Sequence, residues 1–139
     1  MTDVVYTAHS KHTMYARDII VQHAMEHGVV PLNPFRMFGY FLSDRVDRDL
    51  VREANNTIVR LADETWVYGG VSNGVWHEIV LARSLGKPVR YWTVATWAAD
   101  IKPIGPLNVE VEDQLCIELG TDADGVRERL VGLGGEGHG

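Results

Sequence analysis

Short β-rich runs and stretches of helical periodicity take turns along most of this chain, and no other feature constrains its fold as tightly. Val4-Val5-Tyr6-Thr7-Ala8 reads as a first strand. His12 to His27 then sets Tyr15, Ala16, Ile19, Ile20 and Ala24 at helical spacing and stops at Gly28, a residue suited to the turn after a helix. Val29-Val30-Pro31-Leu32 reads as a second strand closed by Asn33-Pro34, and Phe35 to Phe41 as a long aromatic-rich loop. Ser43 can cap a second helix running to about Leu61, with Asp44 and Asp47 in its first turns. Thr65 to Tyr68 is a third strand ending in Gly69-Gly70, Val75 to Leu85 a third helix, and Pro88 to Trp92 a fourth strand. Further on, Leu115 to Leu119 can form a last strand and Asp122 to Leu133 a last helix, before a Gly-rich end over 132–139 that is expected to fray.

Such alternation means βαβ crossovers and a mostly parallel sheet. The expected architecture is α/β: a small Rossmann-like (flavodoxin-like) three-layer sandwich, formed by residues 1–139 as a single domain, with no repeat or linker to divide it. Ligands of such sheets bind outside the carboxyl ends of the strands, which selects the loops after Ala8, Asn33, Tyr68 and Trp92.

Composition narrows the function. An apolar share of 45% excludes disorder, and the single Cys116, read as a buried strand residue, excludes an internal disulfide framework or a multi-Cys zinc site. No basic head with a long apolar run begins the chain and no stretch approaches ~18 apolar residues, so neither a signal peptide nor a membrane span is expected, and the cytoplasm is the default compartment. The net charge of −6 arises from Glu110 onward, where eight acids face two bases, while residues 1–109 hold eleven of each. A body without basic excess is not expected to bind nucleic acid.

Five groups of residues can carry chemistry. Glu78 lies in the first turn of the third helix, on an arc with Leu81, Ala82 and Leu85, where partial desolvation and helix N–H groups would make a nucleophilic carboxylate; an ordinary helix-start Glu is the plain reading. Asp47 falls near the middle of the apolar arc Val46, Leu50, Val51, Ala54, Ile58 and Leu61, unless the helix starts later and Asp47 merely caps it; Asp49 falls opposite, between Arg45 and Arg52. The loop Gly69-Gly70-Val71-Ser72-Asn73-Gly74 can present N–H groups to an anion or a hydroxyl-rich ligand. Phe35, Phe38, Tyr40 and Phe41 can clamp a flat ring, or simply pack, with Arg36, like Lys11, as an anion contact. His9 and His12 flank the end of the first strand, where a substrate can be touched, and Tyr6 and Asn33 are further candidate substrate contacts; His23 and His27 have metal spacing but sit where a helix end favours them anyway. No metal site is expected at these histidines.

The order strand, helix, Asn33-Pro34 loop, acid-led helix, then Ala62-Asp63-x-x-Trp66-Val67-Tyr68 and Gly69-Gly70-Val71-Ser72-Asn73-Gly74-x-x-x-Glu78-x-x-x-Ala82-x-x-x-Gly86-Lys87-Pro88-Val89 resembles the nucleoside 2-deoxyribosyltransferase family, which includes deoxynucleotide and CMP N-glycosidases. The likeness covers about residues 3–93, the expected core of the domain. It implies that Glu78 attacks the anomeric carbon of the sugar, that Asp47, or less well Asp49, contacts or protonates the base, and that Ser72, Asn73 and Gly74 hold sugar hydroxyls or a 5′ phosphate. The ligand is then a nucleoside or nucleotide, the chemistry needs no metal or organic cofactor, and the protein is a homodimer or larger. The chain departs from the family in Tyr6-Thr7-Ala8-His9-Ser10, which lacks the usual glycine turn, in a longer helix between acid and nucleophile, and in His77. Two other readings stand beside this one: a phosphoribohydrolase of the lysine-decarboxylase-like type, and a non-catalytic nucleotide-sensing module on the same scaffold.

Overall fold

A computed structural model describes residues 2–39 and 45–133. Among the described residues five strands, β1 (Val4–Ala8), β2 (Val30–Leu32), β3 (Glu64–Tyr68), β4 (Val89–Trp92) and β5 (Pro103–Ile104), form one sheet in the order β2-β1-β3-β4-β5. The first four are parallel, with Tyr6 opposite Leu32 and Thr65, and Thr65 opposite Val89. β5 pairs antiparallel with β4. The chain steps from β1 outward to β2 and then returns to the other side of β1 as β3. The carboxyl ends of β1 and β3 therefore flank the switch point where open α/β sheets hold their ligands.

Helices α1 (Arg17–Glu26), α2 (Pro34–Met37), α3 (Arg48–Leu61), α4 (Asn73–Ser84), α5 (Asp113–Leu119) and α6 (Ala123–Gly132) surround the sheet. Strand alternation sorts the side chains into two cores. Tyr6, Ala8, Val67, Val89 and Tyr91 point to one face, where Ile58, Val59, Val75, Ile79, Leu115, Val126 and Leu130 meet them. Val5, Trp66, Tyr68 and Trp92 point to the other, against Ala16, Ile20 and Ala24 of the first helical segment and Ile101. The result is the Rossmann-like three-layer α/β sandwich, with β1 Val4–Ala8 at the bounds read from the sequence.

Four local expectations are corrected. The helix expected from His12 opens as a 3-10 segment, Lys11–Ala16, capped by Ser10, whose Oγ accepts from the His12 amide at 3.0 Å. The aromatic loop begins with α2, because Asn33 Oδ1 accepts from the amides of Phe35 and Arg36 and Pro34 occupies the first helical position. Leu115–Leu119 is helical within α5: the edge of β4 is taken by β5, and Leu115 is buried while Ile117 is 72% exposed. Cys116 accordingly stands half-buried on a helix rather than in a strand. Finally, α3 packs through Ile58 and Val59, leaving Leu50 and Leu61 of the expected apolar arc 64% and 74% exposed. Ser43, Asp44, Tyr40 and Phe41 lie outside the described residues. No described helix is long and apolar enough to cross a membrane.

Candidate active site

A cleft of about 630 Å³ opens at the carboxyl ends of β1 and β3. Its walls come from the turn after β1, from α2, from one face of α3, from the first turns of α4 and from Glu112 and Gln114 at the start of α5. Glu78 faces this cleft from α4, which Ser72 caps by accepting from the Val75 amide at 3.3 Å. Its carboxylate accepts a 2.5 Å hydrogen bond from Tyr6 Oη, a residue 72 positions away whose ring is fully buried beside α4. Burial raises the Glu78 pKa to about 7, and the Tyr6 bond, which favours the charged form, restrains that rise. The Tyr6 hydroxyl is driven well above its ordinary range by burial and by the neighbouring carboxylate, so it stays a donor.

His9 lines the cleft while being almost wholly buried. Its Nδ1–H donates to the Ser10 carbonyl at 3.2 Å, while Nε2 accepts from Asn33 Nδ2 at 3.0 Å. Asn33 Nδ2 also donates to Thr7 Oγ1 at 3.0 Å. Burial lowers the His9 pKa to about 4, so it is a neutral ring, lying 4.7 Å from the Phe35 ring. Together they offer an apolar, flat-sided wall.

The structure thus brings Tyr6, His9, Phe35, Ser72, Asn73, Gly74 and Glu78 to one cleft, with Lys11, His12 and Phe38 beside them. It leaves other expected residues elsewhere. Asn33 is the support beneath His9 and the cap of α2. Arg36 is turned away to Asp18, at 2.6 Å. Gly70 lies against Glu110, and its loop neighbour Val71 bridges to Val111. Asp47 is exposed and caps α3, accepting from the Asp49 amide at 2.8 Å, and neither acid lines the cleft. Asp47 does not sit on an apolar face because α3 begins only at Arg48.

Sequence reasoning missed Arg48, Val51, Arg52, Asn55, Glu112 and Gln114, all of which line the cleft. The first four had a signal: positions 48, 51, 52 and 55 form one helical face. Glu112 had none, since only the fold carries it to His12, whose Nδ1 lies 3.3 Å from its carboxylate. His23 and His27 belong to the opposite core. His23 Nδ1 and Tyr68 Oη hydrogen-bond at 2.9 Å, and both imidazoles pack against Trp92. No group of three or more metal-ligating side chains occurs among the described residues.

A family described as a domain of unknown function, DUF7768, matches residues 6–92, which is more than half of the chain; this protein belongs to that family. No curated protein matches it. Among solved structures it is similar to a 2-deoxyribosyltransferase from the psychrotolerant bacterium Bacillus psychrosaccharolyticus, at 18% identity and a TM-score of 0.51, over 88% of this chain and 95% of that one. At that identity the likeness establishes the shared fold.

Proposed function

We propose that this protein breaks or transfers the N-glycosidic bond of a nucleoside or nucleoside 5′-monophosphate through a glycosyl ester on Glu78. The observation that carries the reading is the Glu78 carboxyl, desolvated in the switch-point cleft and held by Tyr6 Oη. The fold shared with a 2-deoxyribosyltransferase supports it. In the ionised form one Glu78 oxygen attacks C1′; the C1′–N bond breaks, its electron pair leaves with the base, and the base takes up a proton. The oxocarbenium-like charge that develops at C1′ faces the carboxylate, as in retaining glycosidases. Water, or a nitrogen of a second base, then attacks C1′ and frees Glu78. The flat wall of His9 and Phe35 suits a base. For the proton we assign His12, which lines the cleft beside Glu112, in place of Asp47, which does not line it. Assembly into a homodimer or larger oligomer belongs to the same proposal, and sedimentation velocity measures it.

The test is chromatography of free base released from a panel of nucleosides and 5′-monophosphates, with and without an acceptor base, alongside the mass of the acid-quenched protein. The expected result is release and a sugar-sized mass increment, both lost in Glu78→Ala. Binding without release or adduct in the unaltered protein would overturn the catalytic reading and favour a sensor.

A further inference from the structure

The charge of the cleft points beyond a neutral nucleoside. We infer that α3 supplies an anion subsite, in which Arg48 and Arg52, joined by Lys11, take a phosphate carried by the ligand. Three observations lead there. Arg48 and Arg52 stand one helical turn apart and both line the cleft. Neither bonds to any described residue, whereas every arginine outside 45–52 does, Arg36 to Asp18 and Arg90 to Glu64 among them. The pair also runs against the chain as a whole, which carries a net charge of −6. Among the described residues the cleft is lined by two acids, both already engaged, Glu78 by Tyr6 and Glu112 by His12.

The remaining groups describe the rest of the ligand. Asn55 Oδ1, on the same face of α3, and Asn73 Oδ1, at the start of α4, are buried acceptors without a donor among the described residues. Hydroxyl or amino donors on a ligand would satisfy them. A cleft that joins guanidinium forks, orphan acceptors and an apolar wall fits a sugar phosphate bearing a ring, so among the substrates considered above the 5′-monophosphate is the one selected. Guanidinium pairs bind phosphate oxygens in bidentate fashion, a stronger hold than neutral hydrogen bonds provide. The identification of the sugar and base rests on the proposed glycosyl chemistry; the anion subsite rests on the arginines alone.

Calorimetric titration separates the two. The probes are a 2′-deoxynucleoside, its 5′-monophosphate, ribose 5-phosphate and inorganic phosphate. The proteins are the unaltered chain, Arg48→Gln, Arg52→Gln, the double variant, and Arg90→Gln as a surface control. The expected outcome is that the monophosphate binds at least about tenfold tighter than the nucleoside, an advantage that shrinks with salt and vanishes in the double variant but not in Arg90→Gln. Equal affinity for nucleoside and monophosphate, an advantage that survives loss of both arginines, or no binding of any phosphate probe would each overturn the subsite. Arginine-dependent binding of ribose 5-phosphate without base release would uphold the subsite while removing the glycosyl reading. Base release indifferent to phosphate and to the arginines would do the reverse. Both arginines are exposed, so thermal melts of the variants are expected to match the unaltered protein.

Discussion

A carboxyl with a pKa of about 7 is half ionised at neutral pH, and in Glu78 that balance links reactivity to stability. Attack on C1′ needs the carboxylate, so kcat/KM for base release is expected to fall as pH drops below about 7. Tyr6→Phe removes the bond that favours the charged form and should move this limb to higher pH, a shift that a pH–rate profile reads directly. The stability effect has the opposite sense. Because the folded pKa lies above the unfolded value, the folded state binds the extra proton between about pH 4.5 and 7, and its stability falls as pH rises through that window. Glu78→Gln should therefore raise stability by roughly 1–3 kcal/mol at pH 8 and by almost nothing near pH 4.5, as measured by urea unfolding at both pH values. Glu78 was readable from the sequence because it follows a glycine loop at a helix start; Tyr6 as its partner was not, since the contact spans 72 positions and only the pairing of β1 with β3 creates it.

Two elements owe their ends to residues outside them. Lys87, part of the Gly-Lys-Pro-Val run after α4, extends its Nζ to the carbonyls of Val59, Arg60 and Ala62 at the end of α3. It caps that helix and meets its negative pole. Lys87→Met should cost about 1–2 kcal/mol in a denaturant melt, with base release unchanged at temperatures where the variant is folded. Gly69 ends β3 with φ +77°, and an added Cβ there would meet Val94 Cγ2 at 3.0 Å and Thr13 Oγ1 at 3.4 Å. Gly69→Ala should cost about 1–3 kcal/mol and lower the melting temperature accordingly. The glycine and the lysine were visible in the sequence; what they touch was not. The same limit explains α5. Leu115, Ile117 and Leu119 satisfy a strand pattern as well as a helical one, and the choice is made by β5, two residues of no periodic signal that close the edge of β4. It also explains α3: an apolar count over Val46–Leu61 cannot tell that Ile58 and Val59 anchor the helix, nor that its polar stripe at 48, 52 and 55 faces a cleft.

Taken as a whole, the molecule does not end where its family match does. Residues 93–133 supply Ile101 to one core and Val109, Leu115, Val126 and Leu130 to the other, besides Glu112 to the cleft. At roughly 1.5–3 kcal/mol for each large apolar side chain, that burial is comparable with the entire stability of an ordinary domain. A chain cut after Trp92 is expected to lack a cooperative melt in circular dichroism. The order of the sheet has a consequence in time as well as in space. β1 is made first but lies between β2 and β3, so no central strand pair forms without bridging a whole crossover, and folding of such topologies is slow. The two halves of the cleft meet only when that pairing is complete. A cleft ligand thus arrives too late to hasten folding, and its stabilisation should appear as slower escape from the native state, on the unfolding arm of the chevron alone.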